Sequence, residues 1–204
     1  MMKVNVDEGW HLCASCETLS PPRAWHCDVC KTCILKREHH CSFTGCCIGF
    51  HNFRYFYLFL VHLCAATVYA SYFNNWFIWT LVEEVHWTHV LRLLMPVSVL
   101  FFGLDLSMTQ LYMFYYSVTL IGCLFTAILI YQQSHLLLYN QTSFERNKRS
   151  RGYDTGDRWQ SVRDSLGCRW YLAAVSPLFR SDLPHGGIAW PASSSARPES
   201  AKDQ

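Results

Sequence analysis

The sequence predicts an α-helical membrane protein: a small zinc-stabilised cysteine-rich domain, then two transmembrane helices and a cytosolic tail. Three observations predict it. Eight of the eleven cysteines crowd between Cys13 and Cys47, and two long uncharged apolar runs follow at 55–73 and 111–131. Lysine and arginine number six before residue 55, one between 55 and 140, and ten after it, the segregation of positive charge found in membrane proteins. The averages hide this, because 51% hydrophobic and 16% charged residues with a formal charge of +2 would also suit one soluble domain.

In order along the chain, Met1 to Leu12 shows no apolar run with a small-residue cleavage site after it, so no signal peptide is expected. Clustered cysteines without a secretory signal read as reduced, metal-binding thiols, which places residues 1–54 in the cytosol. The cluster reads C-x2-C-x9-H-C-x2-C-x2-C-x4-E-H-H-C-x5-C. Two closed tetrahedral zinc sites need eight nitrogen or sulfur ligands, and more candidates than that are present. One allotment gives Cys13, Cys16, His26 and Cys33 to a first zinc and Cys27, Cys30, His40 and Cys47 to a second. Neighbours His26 and Cys27 point in different directions, so interleaved sites fit better than sites in series. Cys46 competes with Cys47 for the last position.

Cys41 and His39 are then spare. A thiol is only a few per cent thiolate at neutral pH and needs a base. His39 can take its proton, and Glu38 can hold His39 in one tautomer. The competing reading is a zinc ribbon in which Glu-His-His-Cys is a ligand run and nothing reacts.

Ser20-Pro21-Pro22-Arg23 reads as a turn between knuckles. Residues 55–73 and 111–131 each hold enough uncharged residues to cross about 30 Å of hydrocarbon as a helix. His62 lies within the first, and aromatic residues from Tyr72 to Trp79 form an interfacial belt. The connector, 74–110, carries Glu83, Glu84 and Asp105 against Arg92, so it faces away from the cytosol. Within it Leu93 to Leu104 is too short to span and contains Pro96, which suggests an interfacial or re-entrant segment. Arg146, Lys148, Arg149 and Arg151 return the tail, 140–190, to the side of the zinc domain. Residues 169–190 are expected against the membrane face, and 191–204 lack any core-forming pattern and are expected to be disordered.

Cys13, Cys16, His26, Cys27, Cys30, Cys33, the run Glu38-His39-His40-Cys41, Cys47, Asn52 and Phe56 together resemble the cysteine-rich domain of the DHHC protein S-acyltransferases (palmitoyltransferases). Thr142-Ser143-Phe144-Glu145 is similar to the family's Thr-Thr-x-Glu motif. The resemblance implies the zinc allotment above, Cys41 as the acylated nucleophile, His39 as its base with Glu38 behind it, and palmitoyl-CoA as donor. It implies an endomembrane enzyme of the endoplasmic reticulum or Golgi, multi-pass, acting on client proteins with cytosolic cysteines. Lys36 and Arg37 would then meet the phosphates of coenzyme A.

Several positions depart from the pattern. Glu38 replaces an aspartate, Ser42-Phe43 a Pro-Trp, Gly45-Cys46 an Asn-Asn, and Ser161 an asparagine of the tail. The family generally carries two spans ahead of the zinc domain, and these residues begin after them, so a truncated form is expected. Attenuated activity, or a catalytically silent zinc and membrane scaffold, is the alternative these departures raise. A soluble nucleic-acid module is excluded by the lack of a basic stripe with interleaved aromatics.

Overall fold

The computed structural model describes residues 9–81, 87–95, 107–150, 152–176 and 179–190. The chain divides into two compact units, Met1–Leu58 with Gln132–Gln204, and Phe59–Tyr131.

The first unit opens with three antiparallel hairpins. They are β1 (His11–Cys13) with β2 (Thr18–Ser20), β3 (Trp25–Cys27) with β4 (Thr32–Ile34), and β5 (His39–Cys41) with β6 (Cys46–Ile48). Each turns through four residues. In each the last turn residue is left-handed: Glu17 at φ 51°, Lys31 at 54° and Gly45 at 68°. The hairpins are therefore one unit repeated at fourteen residues, with Cys13, Cys27 and Cys41 in equivalent positions. Strands of three residues bury too little to be stable alone, so their stability must come from what ties the hairpins together.

Asn52 links the last hairpin to α1 (Phe53–Leu81). Its Oδ1 accepts from the Gly49 amide at 2.8 Å and its Nδ2 donates to the Cys47 carbonyl at 2.9 Å. Gly49 is required by close approach, since a Cβ there would lie 2.6 Å from the Ile34 methyl and 2.7 Å from the Leu35 carbonyl oxygen. The helix extends eight residues past the expected end of the first span, because 74–81 hold neither charge nor proline to stop it.

Helix α3 (Met108–Leu138) likewise overruns 111–131 at both ends. It stops in a Schellman turn. Asn140 is left-handed at φ 45°, its amide bonds the Leu137 carbonyl, and the Gln141 amide bonds Leu136. Behind it come α4 (Ser143–Asn147), α5 (Arg158–Leu166) and α6 (Trp170–Val175). Asp157 caps α5 by accepting from the Trp159 and Gln160 amides. Within 179–190, His185 and Trp190 pack on the hairpin unit. Phe50 stacks on His185 at 5.1 Å and meets Trp190 edge-on, and Trp190 covers the Arg23 guanidinium at 4.5 Å. A tryptophan face over a buried cation is a better partner for both than lipid headgroup is.

In the second unit the C-terminal part of α1 meets the N-terminal part of α3 and α2 (Trp87–Leu94). Ile78 and Met113 are buried together against Leu93 and Tyr116, the Tyr116 hydroxyl donates to Asn75 at 2.9 Å, and the Ser117 hydroxyl to the Leu93 carbonyl at 3.0 Å. Most of both helices faces outward with Val68, Tyr72, Trp76, Ile121, Leu124 and Phe125 exposed. Only 11% and 17% of their most apolar stretches are buried, so the outward faces require a hydrocarbon solvent. The re-entrant segment expected at Leu93 to Leu104, the acidic residues of the connector and the tail 191–204 fall largely or wholly outside the described residues.

Candidate active site and metal cages

Two groups of four ligand atoms come together, each with all atoms within 4.8 Å of one another: Cys13, Cys16, His26 and Cys33, then Cys27, Cys30, His40 and Cys47. Every ligand of the second stands fourteen residues after its counterpart in the first. Each cage takes a Cys-x2-Cys knuckle from one hairpin and a cross-strand His-Cys pair from the next, His26 opposite Cys33 and His40 opposite Cys47. Alternation along a strand explains the interleaving, because His26 faces the cage behind it while Cys27 faces the cage ahead.

The donor sets fit zinc. Tetrahedral bonds of ordinary length put sulfurs about 3.8 Å apart and sulfur about 3.6 Å from nitrogen. Observed separations are 3.8 Å for Cys33 to Cys16, and 3.2 to 3.7 Å for sulfur to the Nδ1 atoms of His26 and His40. Cys47 closes the second cage, and Cys46 lies outside it, exposed. Arg37 is half-buried beside the second cage; burial opposes its charge, but the neighbouring Cys47 and Cys27 thiols raise its pKa.

Among the described residues the third hairpin contributes its knuckle position to neither cage. Cys41 occupies the position of Cys13 and Cys27, but Thr44 stands where Cys16 and Cys30 stand, and the chain turns into α1 where another hairpin would supply a His-Cys pair. The knuckle geometry survives. In the first two hairpins the first cysteine accepts backbone N–H bonds from the second and third residues after it, and Cys41 accepts them from Phe43 and Thr44. Burial raises the Cys41 pKa, yet the Thr44 hydroxyl and those two amides together outweigh it and hold the thiol below its ordinary value. A turn built to bind metal thiolate here favours free thiolate.

His39 shares a strand face with Cys41, two residues away, while His40 between them turns to the cage. Its ring sits edge-on to Phe56 in the first turn of α1, at 5.3 Å. Burial, reinforced by the neighbouring Arg37 and His40, lowers its pKa against the pull of Glu38, which favours the neutral imidazole. Glu38 is 4% exposed, with Oε1 3.9 Å from His39 Nδ1. That oxygen is close enough for charge attraction and too far for a hydrogen bond.

What holds Glu38 is the Thr-Ser-x-Glu run. The Ser143 amide donates to Oε2 at 3.1 Å, the Ser143 hydroxyl donates to Oε1, and Gln133 Nε2 reaches Oε1 at 3.5 Å. Thr142 and Glu145 form a capping box that starts α4. Glu145 also receives Arg23 Nε and Nη2, both at 2.8 Å, and Arg23 further donates to the Asn140 carbonyl at 2.8 Å. The run is thus an N-cap and an anchor beside the Glu38-His39-His40-Cys41 run at once. Arg23, 4% exposed between Tyr153 and Trp190, was unmarked in the sequence except as a turn residue.

Lys36 is not presented to a ligand. Its Nζ donates to Asn140 Oδ1 at 2.8 Å and Ser165 Oγ at 3.1 Å, and burial together with the Arg23 charge pushes its pKa well down. Of the pair expected to meet phosphates, Lys36 is bonded within the fold and Arg37 stands half-buried beside the second cage. Ser161, in the tail position of the missing asparagine, is buried and bonds the Asp157 carbonyl within α5.

Two cages fit to hold metal that leave the Cys41 thiol aside, on a chain with two helices long and apolar enough to span a bilayer, define the class: a cysteine-rich, zinc-finger-like membrane protein. The chain belongs to the DHHC palmitoyltransferase family, whose pattern matches residues 7–150. It is 33% identical over 187 residues to "Probable palmitoyltransferase ZDHHC24" of Mus musculus, covering 91% of this chain and 65% of that protein. The Danio rerio protein of the same name is 36% identical over 195 residues, covering 95% and 66%. "Palmitoyltransferase ZDHHC9" of Homo sapiens is 45% identical over 62 residues, 30% of this chain and 17% of that protein. The chain thus spans about two thirds of the length of its ZDHHC24 relatives.

Proposed function

We propose that the chain is a protein S-acyltransferase that moves palmitate from palmitoyl-CoA to cysteines of client proteins through an acyl group on Cys41. The observation that carries this reading is the third knuckle: a thiol with metal-knuckle activation, outside both cages, on one strand face with His39. Cys41 attacks the thioester carbonyl, its proton passes to His39, and His39 returns the proton to the departing coenzyme A sulfur. A client thiol then repeats the exchange on the acyl-enzyme. Glu38 stabilises the imidazolium by charge across 3.9 Å. Zinc in the two cages supplies rigidity in place of a hydrophobic core.

The boundary position supports the same reading. A palmitoyl chain carries roughly fourteen methylenes at about 0.8 kcal/mol each, so it seeks hydrocarbon while coenzyme A requires water. His39 packs on the first turn of the apolar helix α1. The charge distribution of the sequence supports a cytosolic side for the hairpins and the tail, and the family supports a multi-pass arrangement in an endomembrane.

The test is labelling with alkyne palmitate followed by hydroxylamine. Label on the wild-type chain, released by hydroxylamine and abolished by Cys41→Ser with two zinc ions per chain retained, is the expected result. The absence of the hydrogen bond from His39 to Glu38 favours a silent scaffold as second reading, and a zinc-loaded wild-type chain with no label would select it.

A further inference from the structure

The acyl-transfer reading uses one thiol of the third hairpin and leaves another beside it unexplained. Cys46 stands directly opposite Cys41 in the register of β5 and β6. Residues so opposed carry their Cβ atoms about 4.5 to 5.5 Å apart on one face of the ladder. Cys46 is exposed and belongs to neither cage. At the same place the first two hairpins have Thr18 and Thr32, so the second thiol is peculiar to the hairpin whose knuckle position joins neither cage.

The surroundings place a hydroxyl and an amide beside this pair. The Thr44 hydroxyl lies 3.5 Å from Cys46 Sγ and donates to the Cys41 carbonyl oxygen at 3.5 Å, and it helps to lower the Cys41 pKa. Asn52 Nδ2 approaches Cys46 Sγ from the other side at 3.9 Å. His39 faces the same side of the ladder as Cys41 and Cys46, while His40 and Cys47 face the cage.

We propose that Cys46 is a second acyl site, loaded by thioester exchange from Cys41 within the same hairpin. The step rests on the acyl-Cys41 reading above. The Cys46 sulfur attacks the carbonyl carbon of the Cys41 thioester; the carbon–sulfur bond to Cys46 forms and the one to Cys41 breaks. The Cys46 proton goes to the departing Cys41 sulfur by way of His39 or the Thr44 hydroxyl, and nothing is oxidised. One alkyl thioester replaces another, so the exchange is close to balanced and runs both ways. Tethering on facing strands gives it the effective concentration of an intramolecular reaction.

The spacing suits exchange better than a disulfide. A disulfide needs Cβ atoms about 3.5 to 4.5 Å apart, nearer than opposed strand positions usually stand. In a thioester the carbonyl carbon projects one bond beyond the Cys41 sulfur, toward the facing thiol. An acyl group parked on Cys46 restores the Cys41 thiol, which can then react with a second acyl-CoA. The hairpin therefore holds two acyl groups, one on the half-buried thiol and one on the exposed thiol from which a client can take it.

The experiment incubates the full chain in detergent with alkyne-palmitoyl-CoA and counts hydroxylamine-sensitive labels per chain, assigning them by fragmentation mass spectrometry, with zinc content measured in every variant. Wild type is expected to reach two labels, on Cys41 and Cys46, and Cys46→Ser one, on Cys41. Cys41→Ser, still holding two zinc ions, is expected to carry none, because Cys46 is loaded only through Cys41. Wild type stopping at one label, on Cys41, overturns the second site and leaves the acyl-Cys41 reading standing. Label on Cys46 in Cys41→Ser overturns the exchange, since Cys46 then reacts directly with the donor. A reductant-sensitive Cys41–Cys46 bond in place of a second label also overturns it. A wild-type chain with no label at all fails the acyl-Cys41 reading itself.

Discussion

Replacing Glu145 by glutamine isolates the anchor under the active site. The Arg23 side chain is 1% exposed and Glu145 12%, and two bonds of 2.8 Å join them. Burial lowers the Arg23 pKa even though Glu145 pulls it up, yet the guanidinium keeps its proton and stays charged. Glutamine keeps the shape and can still accept one bond, but it leaves the buried cation without a counter-charge. Breaking a buried pair from one side costs about 3 to 5 kcal/mol. The Asn140 carbonyl and the faces of Tyr153 and Trp190 remain and reduce this, so a loss of about 2 to 4 kcal/mol in the stability of the hairpin unit is expected. Urea denaturation in detergent, followed by fluorescence of Trp190 and Trp25, measures it. A double-mutant cycle with Arg23→Met separates pairing from packing, and zinc should stay at two per chain because neither residue belongs to a cage. A cost below about 1 kcal/mol, or a cycle showing no coupling, would refute the reasoning that this ion pair fastens α4 to the hairpins.

Other outcomes follow from the site. Thr44→Val removes a hydroxyl that helps to hold the Cys41 pKa down, so the pH profile of Cys41 alkylation by iodoacetamide should move up; an unmoved profile would contradict this. Since burial holds His39 below its ordinary pKa, autoacylation should stay constant down through pH 7 and fall only as the imidazole gains a proton below about 6.5; a midpoint above 7 would contradict the assignment. Chelation should unfold the hairpins together, because apparent zinc binding free energies of about 10 to 16 kcal/mol are folding free energy in so small a domain; hairpin amides that kept their hydrogen-exchange protection in metal-free protein would contradict this.

Much of this protein is legible in its sequence, and the legible part is local. Knuckles, their cross-strand partners and the left-over thiol can be read from spacing because coordination geometry and strand alternation act over a few residues. The fourteen-residue repeat lay there too, and aligning the three hairpins would have singled out Thr44 and Cys46 before any coordinates. Both apolar runs were visible because crossing hydrocarbon needs an uncharged length. Their ends were not, since a helix continues until something stops it, here the left-handed Asn140 after α3.

Tertiary structure decided the rest, wherever partners lie far apart in the chain. Ser143 holds Glu38 from 105 residues away and Glu145 holds Arg23 from 122, and no local pattern encodes either pairing. The same distance hid the fate of Lys36. Two adjacent basic residues read as a phosphate site, until Asn140 and Ser165 arrive from over a hundred residues later to take up the ammonium. Sequence determined which atoms could bind metal or react; folding determined which buried charges were already satisfied, because desolvation is a property of the whole packed unit and not of any stretch of chain.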